Sequence, residues 1–204
     1  LIDETLCTFL TSKKIINNTN IYIDYTTDIR GVELLSVLKN IYAILLGIID
    51  AKYNSVNTRF MLLTKSFSEI RLLLVALGGH QDTLFLSAGY GDFGLTALND
   101  LSKNRTLGLL IGKGFYNSEL LSSSVVTEGV NSIKMIHGLR PESMKNSTPL
   151  LNKLYNYFEN SNKKIKIDFH DLFDNQLKIV ITYGTFDLLH FGHLEILKRC
   201  KSMG

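Results

Sequence analysis

The chain has little charge of either sign in excess: 22 Lys and Arg stand against 19 Asp and Glu, leaving a net charge of +3 over 204 residues. No basic block is long enough to act as a nucleic-acid arm, so any anionic ligand must be caught locally. Cysteine is also scarce. Cys7 and Cys200 form no CxxC and no Cys/His metal spacing, which fits a reducing cytosol and predicts two small buried hydrophobes and no metal centre. No apolar run is long: "IYAILLGII" at 41–49 is about half the roughly 20 residues a membrane helix needs, and is expected to be a core helix rather than a membrane contact. The opening "LIDETL" has neither an initiator Met nor a signal-peptide pattern, so a piece of a longer protein is expected. Internal repeats and low-complexity tracts are absent as well.

What is present is 45% hydrophobic content, enough for a real core and for one or two domains. Residues 1–11 place Leu1, Ile2, Leu6, Phe9 and Leu10 at helical spacing, and "NIYIDYTT" at 20–27 alternates like a strand. From about Val32 the pattern is helical for over a hundred residues. "VELLSVLKNIYAILLGIIDAKY" and "NTRFMLLTKSFSEIRLLLVALGG" are helices, the second closed by a glycine pair suited to a C-cap. "LSAGYGDFGLTALND" reads as a glycine-bearing loop; "NRTLGLLIGKG", "SSVVTEGVNSIKMIHGL" and "STPLLNKLYNYFEN" read as further helices. The polar stretch from 160 to 177 is the best domain boundary, followed by a buried-strand pattern, "LKIVITYG", and an amphipathic helix, "HLEILKRCKSM".

Lys39 is the informative residue of the helical region. It is a lone cation whose neighbours Leu35, Leu38, Tyr42, Ala43 and Leu46 are all hydrophobic, so its tip either snorkels to water or is held in a site. In the second case an amine there could exchange protons as a general acid/base. In "GYGDFGLTALNDLSKNR", glycines allow close backbone approach while Asp92, Thr96, Ser102, Lys103, Asn104 and Arg105 offer polar contacts; a polar surface turn explains that stretch equally well.

Taken in order, "GVELLSVLKNIYAILLGIID", "NTRFMLLTKSFSEIRLLLVALGG", "AGYGDFGLTALNDLSKNRTLGLLIGKG" and "VVTEGV" resemble the C-terminal substrate domain of bacterial NAD(P)-dependent glycerol-3-phosphate dehydrogenase, over about residues 5–158. The resemblance implies that Lys39 is the acid/base for hydride transfer between nicotinamide and C2 of dihydroxyacetone phosphate. It implies that Asp92, Thr96, Ser102, Lys103 and Asn104 bind the substrate, and that Lys103, Val126 and Glu128 contact NAD or NADP. Two departures stand out. The family's usual Arg-Asn-Arg is here Lys103-Asn104-Arg105, so a planar two-donor grip becomes a point charge and binding is expected to weaken unless Arg105 compensates. The family's "ITRG" reads "LTKS" at 63–66, a matter of local packing. No GxGxxG follows a strand, so the turn that grips a dinucleotide's pyrophosphate is missing, and "GLLIGKG" lacks the P-loop spacing.

"KIVITYGTFDLLHFGHLEILKRCKSMG" contains two histidines, His190 and His193, three apart at a helix start, where free N–H groups and the helix dipole suit a polyphosphate. The same pair could cap a surface helix or contribute to a zinc site, although no third ligand lies nearby. The segment resembles the first strand, turn and helix of the cytidylyltransferase family, most closely glycerol-3-phosphate cytidylyltransferase, through "GTFDLLHFGH" at 184–193. That resemblance implies CTP with Mg²⁺ as co-substrate, attack by the glycerol-phosphate oxyanion on the α-phosphorus, charge stabilisation by His190 and His193, and nucleotide contacts from Thr185 and Phe186.

The expected organisation is therefore a multidomain fragment: the end of a dinucleotide-binding domain (1–28), a mainly all-α substrate domain (29–160), a linker (161–176), and the first βα unit of a Rossmann-like α/β nucleotidyltransferase (177–204). The resemblances imply small-molecule substrates only, dihydroxyacetone phosphate, sn-glycerol 3-phosphate and CTP, and a cytoplasmic homodimer in the full-length protein, with no nucleic acid and no membrane. The isolated chain is expected to turn over neither reaction. Two alternatives stand beside this one: an active transferase carrying a degenerate helical docking module, or an inert product of a broken gene.

Overall fold

The structure, a computed structural model, describes residues 4–53, 55–99, 102–115, 124–159 and 191–203. The chain divides into two compact units, Leu1–Glu159 and Asn160–Gly204. The first contains α1 (Glu4–Ile15), α2 (Ile29–Lys52), α3 (Val56–Ala76), α4 (Asp92–Leu98), α5 (Lys103–Gly112), α6 (Ser124–Leu139) and α7 (Pro149–Glu159). A 3₁₀ turn at Gln81–Phe85 and a single π turn at Ser87–Gly91 lead into α4. In the second unit the described element is α8 (Phe191–Met203), with Leu194, Ile196 and Leu197 each about two-fifths exposed.

Helix α2 is long and apolar enough to cross a membrane by length and composition, but here it is the centre of the core. Every residue from 41 to 49 is buried, and α3, α4, α5 and α6 all pack on it. Each fully buried Leu or Ile contributes about 1.5–3 kcal/mol relative to exposure, so this run dominates the fold's stability. Its start is set by Asp28, whose carboxylate accepts hydrogen bonds from Gly31 N at 2.8 Å, His80 N at 2.8 Å and the Thr83 hydroxyl at 2.6 Å. One side chain thus caps α2 and staples the 80–83 turn to it. Helix α3 ends as its glycine pair predicts: Gly78 takes φ +91°, Gly78 N donates to Val75 O and Gly79 N to Leu74 O, a Schellman closure.

A second buried carboxylate joins three helices. Glu69 of α3 accepts from the Tyr42 hydroxyl at 2.7 Å and from the backbone N–H groups of Leu150 and Leu151, at 2.7 and 3.1 Å, in the first turn of α7. Burial pushes its pKa above the usual value, the four bond and charge contributions from Leu150, Tyr42, Leu151 and Arg140 only partly offsetting it.

Three sequence expectations are corrected. "NIYIDYTT" is extended but forms no strand, because no neighbouring segment among the described residues supplies a ladder; Ile21 and Tyr22 are accordingly 62% and 80% exposed. "LSAGYGDFGLTALND" is not a loop: a π turn passes into α4, whose Phe93 and Ala97 are buried one turn apart, and that burial outweighs the cost of glycine in a short helix. Cys200 is half-buried rather than a core residue, while the side chain of Cys7 lies outside the described residues.

Candidate active site

Lys39 sits near the middle of α2, next to buried Leu38 and two residues before the unbroken buried run that starts at Ile41. Its side chain is 21% exposed, and its ammonium pairs with the carboxylate of Asp92, itself 38% exposed. Asp92 opens α4, where the helix dipole favours a negative charge. Thr96 lies four residues further on, on the same face of α4, and is half-buried. The π turn that aims α4 is tied to the extended segment by Ser87 N donating to Asp24 at 2.9 Å, and is walled by Tyr90 stacked on Phe67, which in turn meets Phe93 edge-on. The hydrogen bonds from Ser87, with a further one from Tyr22, hold the Asp24 carboxyl below its ordinary range.

The remaining polar residues belong to the start of α5. The Ser102 hydroxyl caps this helix, accepting from Arg105 N at 3.4 Å, and Lys103 and Asn104 follow in the first turn, Lys103 exposed and Asn104 half-buried. Two glycines let α5 pack closely against α2. A Cβ on Gly47 would fall 2.2 Å from Arg105 O, and one on Gly108 would fall 2.1 Å from Ile44 O. Further along, Gly112 rests on Ile48 and Ala51, so the two helices run in the same direction and the α5 N-terminus opens toward the Lys39 end of α2. Its unpaired N–H groups and dipole favour an anion.

Helix α6 completes this edge. A Cβ on Gly129 would lie 2.9 Å from Ile44 Cδ1 and 3.4 Å from Asn104 Oδ1, so the bare glycine lets the first turns of α6 lie against the start of α5. Val126 and Glu128 stand in those turns; their side chains lie outside the described residues. The structure thus joins Lys39 to Asp92 directly, puts Thr96 on the face of Asp92, and gathers Ser102, Lys103 and Asn104 on one helix start.

Arg105 takes another course. It does not reinforce the surface turn: it is 4% exposed, and its Nη1 lies 2.5 Å from Oδ2 of Asp50, also 4% exposed, as a charge contact without the alignment of a hydrogen bond. Asp50 Oδ1 also accepts from Arg59 Nε at 2.7 Å. Sequence reading missed Asp50, although a signal was available: it is the acid that ends the apolar run, eleven residues or about three turns from Lys39 and so on nearly the same helix face.

At the other end, Thr185, Phe186 and His190 lie outside the described residues. His193 is the third residue of α8 and is half-buried. Among the described residues no group of three or more His, Cys, Asp or Glu side chains is placed to hold a metal ion.

Residues 28–167 match the family described as NAD-dependent glycerol-3-phosphate dehydrogenase C-terminus, and the chain belongs to that family. Among curated relatives named glycerol-3-phosphate dehydrogenase [NAD(P)+], that of Methanothermobacter thermautotrophicus is 39% identical over 61% of this chain and 38% of its own length. The one from Teredinibacter turnerae is 45% identical over 54% of this chain and 33% of its own length. The one from Oleidesulfovibrio alaskensis is 33% identical over 75% and 46%. A crystal structure of glycerol-3-phosphate dehydrogenase from Coxiella burnetii superposes with a TM-score of 0.65 at 28% identity, covering 82% of this chain and 52% of that one. The chain therefore spans about a third to a half of these relatives' length. Residues 181–204 match a second family, described as Cytidylyltransferase-like.

Proposed function

We propose that residues 29–160 form the substrate domain of an NAD(P)-dependent glycerol-3-phosphate dehydrogenase that reduces dihydroxyacetone phosphate to sn-glycerol 3-phosphate. The observation that carries this reading is the Lys39–Asp92 pair, partly open to solvent near the middle of α2, on the side toward which the α5 N-terminus also opens. Ser102, Lys103 and Asn104 hold the phosphate through backbone N–H groups and the Lys103 charge, and Thr96 reaches the substrate's hydroxyls. An ammonium has three donors, so Lys39 can keep one on Asp92 while another meets the carbonyl oxygen. Asp92 thereby aims the proton donor. The nicotinamide, when bound, supplies the hydride to C2, and Lys103, Val126 and Glu128 are the residues on the side where α5 and α6 start together. As negative charge builds on the oxygen, Lys39 stabilises it and delivers a proton, leaving an alcohol and a neutral amine that water reprotonates.

Residues 177–204 begin a CTP:glycerol-3-phosphate cytidylyltransferase in the same reading, supported by the 184–193 motif and the match at 181–204. Its substrate is the dehydrogenase's product: the phosphate oxyanion displaces pyrophosphate from CTP, with Mg²⁺ on the phosphates and His190 and His193 neutralising the developing charge. The longer protein is then a cytoplasmic homodimer running two consecutive steps. The test of the first activity is NADH oxidation driven by dihydroxyacetone phosphate in a protein where a dinucleotide-binding half precedes residue 1. There Lys39→Ala lowers kcat by about 10² or more, as loss of a positioned proton donor does. Unchanged kcat removes Lys39 from the mechanism.

A further inference from the structure

Asp50 touches none of the residues that face the substrate edge, yet its charge is bound to their helix. Its Oδ2 lies 2.5 Å from Arg105 Nη1, with both side chains 4% exposed, and its Oδ1 is held at 2.7 Å by Arg59 Nε. Arg105 directly follows Asn104 and is the residue whose N–H the Ser102 cap receives, so whatever fixes Arg105 fixes the first turn of α5. A buried carboxylate and guanidinium that neutralise each other have no alternative partner in water, and therefore pin two helices more sharply than apolar contact alone. The Gly47–Gly108 contact brings α5 close to α2, and the Asp50–Arg105 pair adds a buried charged tie between the same two helices.

We propose that Asp50 is a positioning residue for phosphate recognition: by drawing the Arg105 guanidinium into the core, it locks the α5 start so that the Ser102–Asn104 turn faces the Lys39 end of α2. This rests on the reading of that turn as the phosphate site. It also explains why Arg105 cannot make up for Lys103 at the surface. Arg105 is committed to Asp50, and the turn's exposed cation is Lys103.

The experiment titrates the 204-residue chain with sn-glycerol 3-phosphate, following the Asn104 and Lys103 amide signals by NMR, with glycerol as the control lacking phosphate. The unaltered chain shifts with the phosphate ester and not with glycerol. Asp50→Asn weakens that binding about tenfold. Because taking the Asp50 charge away from buried Arg105 could unfold the domain, a second variant, Asp50→Leu with Arg105→Met, replaces the pair by apolar groups of similar size. It keeps the melting temperature within a few degrees of the unaltered chain and still binds about tenfold more weakly. If the double variant binds like the unaltered chain, the pair acts only through stability and the positioning role is overturned; unchanged binding by Asp50→Asn overturns it equally. If the unaltered chain binds nothing, the phosphate-site reading itself fails, and the role of Asp50 falls with it.

Discussion

Lys39 and Asp50 lie on nearly the same face of α2, about three turns apart, one near its middle and one near its C-terminus, each paired with an opposite charge from a later helix, but the two pairs sit in different surroundings. The Lys39–Asp92 pair is 21% and 38% exposed, while Asp50 and Arg105 are 4% exposed each. An open pair contributes little to stability, and its ammonium can turn to a ligand without leaving a charge stranded. A sealed pair is held differently: water does not reach it to take the place of a lost partner. One helix therefore carries a chemical position near its middle and an anchoring position near its C-terminus, told apart by how much water reaches each.

The largest test of this contrast is at the sealed pair. Asp50→Ala should cost about 3–5 kcal/mol of folding stability, read by urea unfolding, because it breaks a buried pair and takes the Asp50 carboxylate away from Arg105 in the core. A loss below about 1 kcal/mol would mean that water reaches Arg105 and that the two pairs do not differ in kind. At the open pair, Lys39→Ala should show the opposite profile: a kcat loss of about 10², equivalent to about 2.7 kcal/mol, with unfolding stability changed by no more than about 1 kcal/mol.

The two buried carboxylates sharpen the comparison through pH. For both Asp28 and Glu69, burial is the largest single influence and pushes the pKa up. In Asp28 the hydrogen bonds from Thr83, His80 and Gly31, with the His80 charge, outweigh burial and the pKa falls below the ordinary 3.8; in Glu69 they do not. A depressed carboxylate pKa contributes stability that is present above 3.8 and lost as pH falls through the folded value. Glu69 has the opposite sign: its contribution is fullest below 4.5 and is lost as pH rises through its raised folded value. Asp28→Asn should therefore cost about 1–3 kcal/mol at neutral pH and flatten the acid side of the stability curve below about pH 4, measured by thermal melts against pH. An acid limb identical to that of the unaltered chain would show that Asp28 is not depressed. The smallest expected effect is at the surface. Lys103→Arg should tighten sn-glycerol 3-phosphate binding a few-fold, about 1 kcal/mol, because a guanidinium can make two parallel bonds to phosphate. No gain, or a loss, would mean that backbone N–H groups already carry the contact.

Much of the site was legible because its residues break a local pattern. Lys39 is a cation in an apolar helix, and Ser102-Lys103-Asn104 precede an apolar run where a capped helix should start, as α5 does. Asp92 was picked out by resemblance but placed in a loop. The glycines that suggested the loop are tolerated because Phe93 and Ala97 bury the other side of α4. Arg105 was misjudged for a related reason: beside Lys103 it reads as one more surface cation, and nothing within its own helix reveals the acid that draws it inward. The extended segment at 20–27 fails in the reverse direction, since its alternation is real but a strand's bonds must come from another segment.

The sequence by itself determined helices α2, α3, α5, α6 and α7, the glycine closure of α3 and the membership of the family, because caps and i-to-i+4 bonding are written within a few consecutive residues. Only the tertiary structure decided which charges meet. Lys39 finds Asp92 across 53 residues where α4 packs on α2, and Asp50 finds Arg105 across a similar span where Gly47 and Gly108 let α5 lie directly on α2. Helix formation is satisfied inside each segment, whereas the pairing of charges between segments depends on how closely two backbones approach and on how much water that approach leaves behind.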